Sequence, residues 1–204
     1  MTATTTRRRT AAAAGPDTSP ARSFTRIVGI DMSLTSTGVA TLYSYNDLAE
    51  IQTIAYTVKV PNDAPLSDRY RRIRHMVIPF HQILGSNDLI VIEGAAAGAV
   101  GGHAWDRAAA WWQIVGIALE IECPVVVVNP STRAKWATGN GRADKAAVAA
   151  AMTRRMPDTV FNNSDESDSA ALAWMCAQRL GWRPATKTEL AALTPIRWPA
   201  GVHA

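Results

Sequence analysis

Four acidic residues flank apolar segments of this chain in a way that could bring them to one site. Asp31 ends the apolar run that starts at residue 26, Glu93 ends the run that starts at residue 88, and Asp165 and Asp168 precede an alanine-rich stretch. Carboxylates that converge repel one another unless cations lie between them, and their oxygens are the ligands that Mg²⁺ prefers. We therefore predict a site for Mg²⁺ or Mn²⁺ with two ions, one activating water and the other stabilising the leaving oxygen of a phosphodiester.

Each acid also has a purely structural explanation. Asp31 could start an Asx turn with Ser33. Asp165 and Asp168, three apart, would share one face of a helix, but acidic residues in a first turn also favour the helix dipole. The coincidence of two strand ends and one helix start favours the metal site, because ligands of open α/β sheets bind at the carboxyl ends of the strands.

The elements that would position these acids alternate between strands and helices, which predicts an α/β fold. A helix over residues 67–85 should be kinked at Pro79, and its four arginines (residues 69, 71, 72 and 74) should form a solvated face more readily than a DNA contact. The other predicted helices cover residues 103–122, 145–156 and 170–180. The predicted strands cover residues 26–31, 37–45, 49–60, 88–93 and 124–128, with a hairpin turn at residues 46–47.

Basic residues surround a glycine-containing turn at residues 138–145. Its free backbone N–H groups, together with Arg142 and Lys145, could form a cradle for phosphate. The alternative is a helix C-cap followed by a tight turn. Arg133 and Lys135 lie just before the turn, and we include both in the predicted DNA-binding set.

Composition sets the domain organisation. The chain has 204 residues, of which 48% are hydrophobic, as expected for one domain with a substantial core. Residues 1–26 contain five arginines and one aspartate and so carry the whole formal charge of +4; we predict a disordered basic arm over residues 1–25, a main domain over 26–182 and a C-terminal extension over 183–204.

Cys123 and Cys176 form no CxxC pair, and no apolar run is long enough for a membrane helix, so we expect a protein of the reducing cytoplasm without membrane contact.

At this point the motifs suggest a family. The chain resembles the RuvC-type Holliday junction resolvases, and most of all their bacteriophage branch, in the order and approximate spacing of four segments over residues 26–182: GIDMSLTSTG, IVIEG, NPSTRAKWATGNGRADKAAV and DESDSAALA. The resemblance implies an RNase H-like fold, a mixed five-stranded sheet flanked by helices. It implies a homodimer that nicks two strands of a four-way DNA junction, with forks and flaps as further candidate substrates, in the cytoplasm of a bacterial host if the chain is phage-encoded.

Matched motif by motif, the resemblance implies Asp31, Glu93, Asp165 and Asp168 as catalytic metal ligands. It also places Lys135 and Lys145 at basic positions that meet DNA in such enzymes. Glu166 remains open as a substitute ligand, because the spacing from Asp168 to the following Ala-Leu-Ala differs from the bacterial pattern. The bacterial enzymes also carry an aromatic residue shortly after the second acid, whereas here Glu93 is followed by Gly-Ala-Ala-Ala-Gly.

Two other functions remain as alternatives. One is a protein on the same fold that binds branched DNA without cutting it. The other is an actin-like ATPase or sugar kinase, but those chains duplicate the fold and 204 residues leave little room for a second lobe.

A homodimer is also predicted from the residues themselves. Trp111 and Trp112 are adjacent on a mostly apolar helix and therefore point about 100° apart. We expect one of them to face the sheet and the other a partner helix. The competing expectation is a helix enclosed within its own domain, between the sheet and the helix at residues 170–180.

Overall fold

The computed structural model describes residues 20–94 and 103–203, which form a five-stranded mixed sheet with helices on both faces. The strands are β1 (Arg26–Asp31), β2 (Ser36–Tyr43), β3 (Asn46–Ala55), β4 (Asp88–Glu93) and β5 (Val125–Val128). The helices are α1 (Leu66–Val77), α2 (Phe80–Ile83), α3 (Ala104–Glu120), α4 (Pro130–Thr138), α5 (Lys145–Arg155), α6 (Ser164–Arg179) and α7 (Lys187–Leu193). No helix within the described ranges is long and apolar enough to cross a membrane.

The sheet order is β3-β2-β1-β4-β5, so β1 lies at the centre. β1 pairs antiparallel with β2 and parallel with β4, and β4 pairs parallel with β5. The central strands β1 and β4 are almost continuously apolar because they are covered on both faces. The predicted mixed five-stranded sheet with flanking helices is confirmed, and the carboxyl ends of β1, β4 and β5 meet at one edge.

The two faces of the sheet bury separate cores. Ile27 of β1 and Val91 of β4 pack with α4 to α7, whereas Val28 and Ile92 pack with α1 to α3. Helices α3 and α6 therefore lie on opposite faces of the sheet. The expectation that α3 is enclosed between the sheet and the helix at residues 170–180 is wrong.

The arginine face of α1 is only partly solvated. Arg69 and Arg72 both bond to Asp106 of α3, with Arg69 Nη2 at 2.5 Å from Oδ1 and Arg72 Nη2 at 2.8 Å from Oδ2. Arg72 and Asp106 are buried. We call these three residues the α1–α3 clamp. The prediction of a solvated face holds for Arg71 and Arg74, which are exposed.

Several boundaries differ from the predicted ones. The hairpin turn falls at Ser44 and Tyr45, where a register shift accompanies the end of β2, and not at residues 46–47. β3 ends at Ala55 because that residue pairs with Ser36, the first residue of its partner strand. At Pro79 the predicted kinked helix is divided into α1 and α2. The residues after β5 form helix α4, which is not among the predicted helices.

Both chain ends pack more closely than predicted, as far as they are described. Phe24 is buried in the core, and the Arg22 backbone N–H donates to the Gly201 carbonyl at 2.9 Å. Leu193 and Val202 of the predicted C-terminal extension belong to the same core as α6. Residues 22–25 and 183–203 are therefore packed against the rest of the described fold; the predicted disordered arm falls mostly on residues 1–19, outside the described part.

Candidate active site

Asp31 and Glu93 lie at the ends of neighbouring parallel strands. The last registered pair of β1 and β4 is Ile30 with Ile92, so the next residue along each strand is one of these acids. Side chains alternate between faces along a strand, and Ile27 and Val91 face α6. Asp31 and Glu93, an even number of residues further on, therefore point to that same face.

Two glycines let α6 lie directly on this face. A Cβ at Gly29 would come within 2.2 Å of the Ser169 carbonyl oxygen, and one at Gly38 within 2.0 Å of the Asp165 carbonyl oxygen. Any larger residue would push the helix away from the sheet. Gly38 is also the register partner of Asp31. The first turn of α6 is therefore held over the end of β1, a role that the sequence did not suggest.

The first turns of α6 carry the other two predicted ligands. Asp165 is half-buried, and its Oδ1 accepts a hydrogen bond from Lys145 Nζ at 3.0 Å. Asp168 is fully buried, and neither of its carboxylate oxygens has a hydrogen-bond partner. A buried carboxylate without hydrogen bonds is costly, which makes Asp168 the least satisfied group of the site.

Arg133 lies between two of the acids, although the sequence suggested a DNA contact for it. Its Nε donates to Glu93 Oε2 at 2.6 Å, and its Nη1 forms an ion pair with Asp168 Oδ1 that lacks hydrogen-bond geometry. The side chain is buried in this conformation. The structure explains this position: Val128 is the register partner of Glu93, so the helix that starts at Pro130 has its first turn near the end of β4.

Asp31, Glu93 and Asp168, which we call the acidic cluster, share one guanidinium and are electrostatically unbalanced. Burial, together with the negative charges of Glu93 and Asp168, raises the pKa of Asp31 to about 7 against the opposing effect of Arg133. Burial likewise raises the pKa of Asp168 to about 6, with Arg133 lowering it and Glu93 raising it. Perturbed carboxyl groups that share a site are typical of functional centres.

Glu166, the alternative ligand, points elsewhere. It is buried, and its carboxylate accepts hydrogen bonds from Thr53 Oγ1 at 2.7 Å and from the Asn162 backbone N–H at 2.6 Å. Its own N–H donates to the side chain of Asn163, the N-cap of α6. Glu166 therefore joins β3 to the start of α6, and all of these bonds would have to break before it could bind a metal.

The remaining predicted DNA-binding residues are exposed near this edge. Lys135, Arg142 and Lys145 are all solvent-accessible. The turn between α4 and α5 follows the structural alternative: Gly139 is the left-handed C-cap of α4 with φ 82°, and the Asp144 side chain caps α5 by accepting from the Ala147 N–H. Because a carboxylate already occupies the start of α5, the backbone does not form the predicted phosphate cradle. Phosphate contacts would come from the side chains.

The acidic cluster fits a divalent cation in its chemistry. Its ligand atoms are carboxylate oxygens, and both oxygens of Asp168 are buried without a hydrogen bond. No three acidic, histidine or cysteine side chains in the described ranges are already arranged to hold an ion. In this conformation the guanidinium of Arg133 lies between Glu93 and Asp168.

Helix α3 supports the site from the other face. Trp111 is half-buried, and its Nε1 donates to the Glu93 carbonyl at 2.9 Å, which fixes the end of β4. Its neighbour Trp112 points away from the sheet and is 64% exposed. The glycine-alanine loop after Glu93 falls largely on residues 95–102, outside the described part, so its comparison with the bacterial aromatic residue stays a prediction.

Similarity to known proteins agrees with this arrangement. No protein-family model matches the chain. Over 149 residues, 72% of its length, the chain is 29% identical to a crossover junction endodeoxyribonuclease RuvC of Corynebacterium efficiens, and the match spans 66% of that enzyme. The structure resembles Thermus thermophilus RuvC in complex with a Holliday junction substrate, with a TM-score of 0.60, 18% identity and coverage of 86% of this chain and 99% of that one. It also resembles another T. thermophilus RuvC structure, with a TM-score of 0.56, 16% identity and coverage of 72% and 90%.

The structural matches show the fold, and the sequence match covers 149 residues of the chain. Neither distinguishes a bacteriophage branch from a bacterial one. The chain thus has the RNase H-like fold predicted from its motifs and is similar in sequence to a RuvC crossover junction endodeoxyribonuclease.

Proposed function

We propose that this chain is a metal-dependent endonuclease that resolves four-way DNA junctions by paired nicks. The observation that carries the proposal is the acidic cluster: two buried carboxylates, Asp31 and Asp168, and the half-buried Glu93 converge at the carboxyl edge of a RuvC-like sheet, and among the described residues Arg133 is bonded between Glu93 and Asp168. Such an excess of buried negative charge destabilises the metal-free protein and has no structural purpose that we can identify. The RuvC relatives, one of them in complex with a Holliday junction, indicate the substrate class.

The residues that would hold the metal are Asp31, Glu93, Asp165 and Asp168. Bound there, two Mg²⁺ or Mn²⁺ ions would supply an activated water and charge stabilisation at the leaving oxygen. Asp31 and Glu93 are fixed by the sheet, and Asp165 and Asp168 by a helix packed against it, so the acids are held on rigid elements. Preorganised ligands of this kind do not need to be ordered when the substrate arrives.

The DNA would approach the exposed edge above these acids. Lys145 already bonds to Asp165 at the surface, so it can exchange that carboxylate for a phosphate with little change in position. Arg142 and Lys135 are exposed on the adjoining turn and helix. We assign all three side chains to contacts with the phosphate backbone, which every branched DNA presents.

A homodimer would supply the second nick, since one acidic cluster per chain cuts one strand. Helix α3 offers a self-complementary face: Trp105, Trp112 and Leu119 are 86%, 64% and 57% exposed. A seven-residue spacing places such side chains along one stripe of a helix. Two copies related by a two-fold axis could bury these stripes against each other and match the symmetry of a junction.

The dimer is tested by sedimentation of the purified protein and of Trp112→Glu at micromolar concentration. We expect a dimer for the wild type and a monomer for the variant, because a buried carboxylate at the centre of the interface is unfavourable. Tyr70→Glu, at an exposed aromatic residue of α1, is the matched control and should stay dimeric. A wild-type monomer that still makes paired nicks would contradict the dimer.

The nuclease function is tested with a purified four-way junction, a fork, a flap and a linear duplex, each with Mg²⁺, Mn²⁺ or EDTA. We expect metal-dependent, symmetric nicks in the junction, weaker cutting of the other branched substrates, and none of the duplex. Binding of the junction without any cleavage would support the non-cleaving alternative, and ATP hydrolysis without either would support the ATPase alternative.

A further inference from the structure

Arg133 occupies the space where a cation is expected. It contacts Glu93 Oε2 and Asp168 Oδ1, one oxygen from each of two predicted metal ligands. Its side chain is only 6% exposed, and an arginine is not buried at this cost unless it is paired. Glu93 and Asp168 are the pair that stabilises it.

The charges around Arg133 explain why a cation is needed in the absence of metal. Asp31, Glu93 and Asp168 would repel one another across a site of low dielectric. Lys145, whose charge also acts on Asp31 and Asp168, is exposed and hydrogen-bonded to Asp165 instead. Arg133 is therefore the internal counter-ion of the acidic cluster in the metal-free protein.

The same contacts place Arg133 in competition with a divalent ion. A metal that binds Glu93 and Asp168 lies beside the carboxylate oxygens that the guanidinium now contacts, and two cations held at such close range repel each other. Metal binding therefore competes with the Arg133 contact to Asp168.

We propose that Arg133 is a displaceable positioning residue: it holds Glu93 and Asp168 in place while the site is empty of metal and leaves Asp168 when a divalent ion binds. This inference rests on the proposed metal-dependent function. Arg133 makes the affinity for metal weaker than it would be with the carboxylates alone. In the metal-free protein it keeps the carboxylates of the site in position.

The direct test follows the Arg133 side chain by NMR in the wild-type protein. A buried, paired Nε–H gives a side-chain signal protected from exchange with water, and its absence from Arg133→Lys identifies it. We expect this signal to lose its protection or shift as Mg²⁺ saturates the protein, without DNA present. If the signal is unchanged while calorimetry shows Mg²⁺ bound, Arg133 is not displaced and the inference is overturned.

The second test measures the affinity for Mg²⁺ and Mn²⁺ by calorimetry in Arg133→Gln. Removing the competing charge should tighten binding at least about tenfold. Lys135→Gln is the matched control on the same helix: it removes one exposed charge without touching the acids, and its affinity should change by less than about threefold. Unchanged or weaker metal binding in Arg133→Gln would overturn the competition.

Metal-free Arg133→Gln should also melt at a lower temperature than the wild type and regain more stability on adding Mg²⁺. If it does not fold, Arg133→Lys serves the same purpose. A lysine keeps the charge but cannot reach both carboxylates in a fork, so tighter metal binding than the wild type is again expected. No metal binding by any form, the wild type included, would instead overturn the proposed function.

Discussion

Two buried groups of arginines and carboxylates in this molecule have opposite charge balance. In the α1–α3 clamp, Arg69 and Arg72 share the single carboxylate of Asp106, and both of its oxygens accept hydrogen bonds. In the acidic cluster a single guanidinium serves three carboxylates, and both oxygens of Asp168 lack a hydrogen bond. The clamp joins two helices, whereas the cluster lies at the exposed edge of the sheet.

The pKa values follow this difference. Hydrogen bonds from Arg69 and the nearby positive charges lower the pKa of Asp106. Burial and mutual repulsion raise the pKa of Asp31 to about 7 and that of Asp168 to about 6. Burial alone therefore does not mark a functional acid. An excess of carboxylates over cations does, because a bound cation can balance that excess.

The largest expected effect is on cleavage. Asp168→Asn should lower the rate of junction cutting at least about a hundredfold, since a metal ligand and its charge are lost. Asp106→Asn should cut at the wild-type rate per folded molecule, because the clamp lies on the opposite face of the sheet. The measurement is a single-turnover nicking assay. Wild-type cleavage by Asp168→Asn would remove that residue from the site.

The next effect is on stability and concerns the clamp. Asp106→Asn should lower the free energy of unfolding by about 2–4 kcal/mol, because it leaves two arginines without their counter-ion. The exposed pair of Asp68 and Arg71 is the control, and Asp68→Asn should cost less than about 1 kcal/mol. Urea unfolding near neutral pH measures both. Equal losses would mean that burial of the clamp contributes nothing.

In the acidic cluster, removing a carboxylate charge should raise the free energy of unfolding instead of lowering it. Metal-free Asp31→Asn should be more stable than the wild type at about pH 8, by roughly 1–3 kcal/mol. The pKa of Asp31 is about 7 in the folded protein against an ordinary value of 3.8. Between these pH values Asp31 is therefore protonated in the folded state and ionised in the unfolded state. Wild-type stability should therefore fall as the pH rises from about 4 to about 7, and the variant should show a smaller fall. Thermal unfolding in EDTA across this range tests it, and a variant less stable than the wild type at the upper end would contradict it.

The smallest effect concerns the surface cation beside the cluster. Lys145→Ala should weaken binding to all branched DNA alike and reduce the slope of log affinity against log salt by about one unit. Lys187→Ala, at the start of α7, is the matched control, because α7 packs near the opposite end of α6 from Asp165. Titrations in EDTA at several salt concentrations compare the two. Identical slopes for Lys145→Ala and the wild type would remove this contact.

Much of the fold could be predicted because it depends on local patterns. The apolar runs of β1 and β4 indicated buried strands, and each was predicted with the bounds that the structure has. Element ends were less predictable: β3 stops where its partner begins, and α6 starts at Ser164, six residues before the predicted helix. Both boundaries are set by contacts with other elements, the first by pairing with β2 and the second by an N-cap and the bonds from Thr53.

In the candidate site, too, some features depend on local sequence and others on tertiary contacts. The sequence by itself determined which acids follow the buried strands and which begin the helix, because those positions depend on runs of neighbouring residues. Only the tertiary structure decided the roles of Arg133 and Glu166. Arg133 is drawn in by Glu93, 40 residues away, and Glu166 is held by Thr53, 113 residues away. A side chain's partner across such distances depends on how helices pack on the sheet, and here two glycines without side chains, Gly29 and Gly38, set that packing.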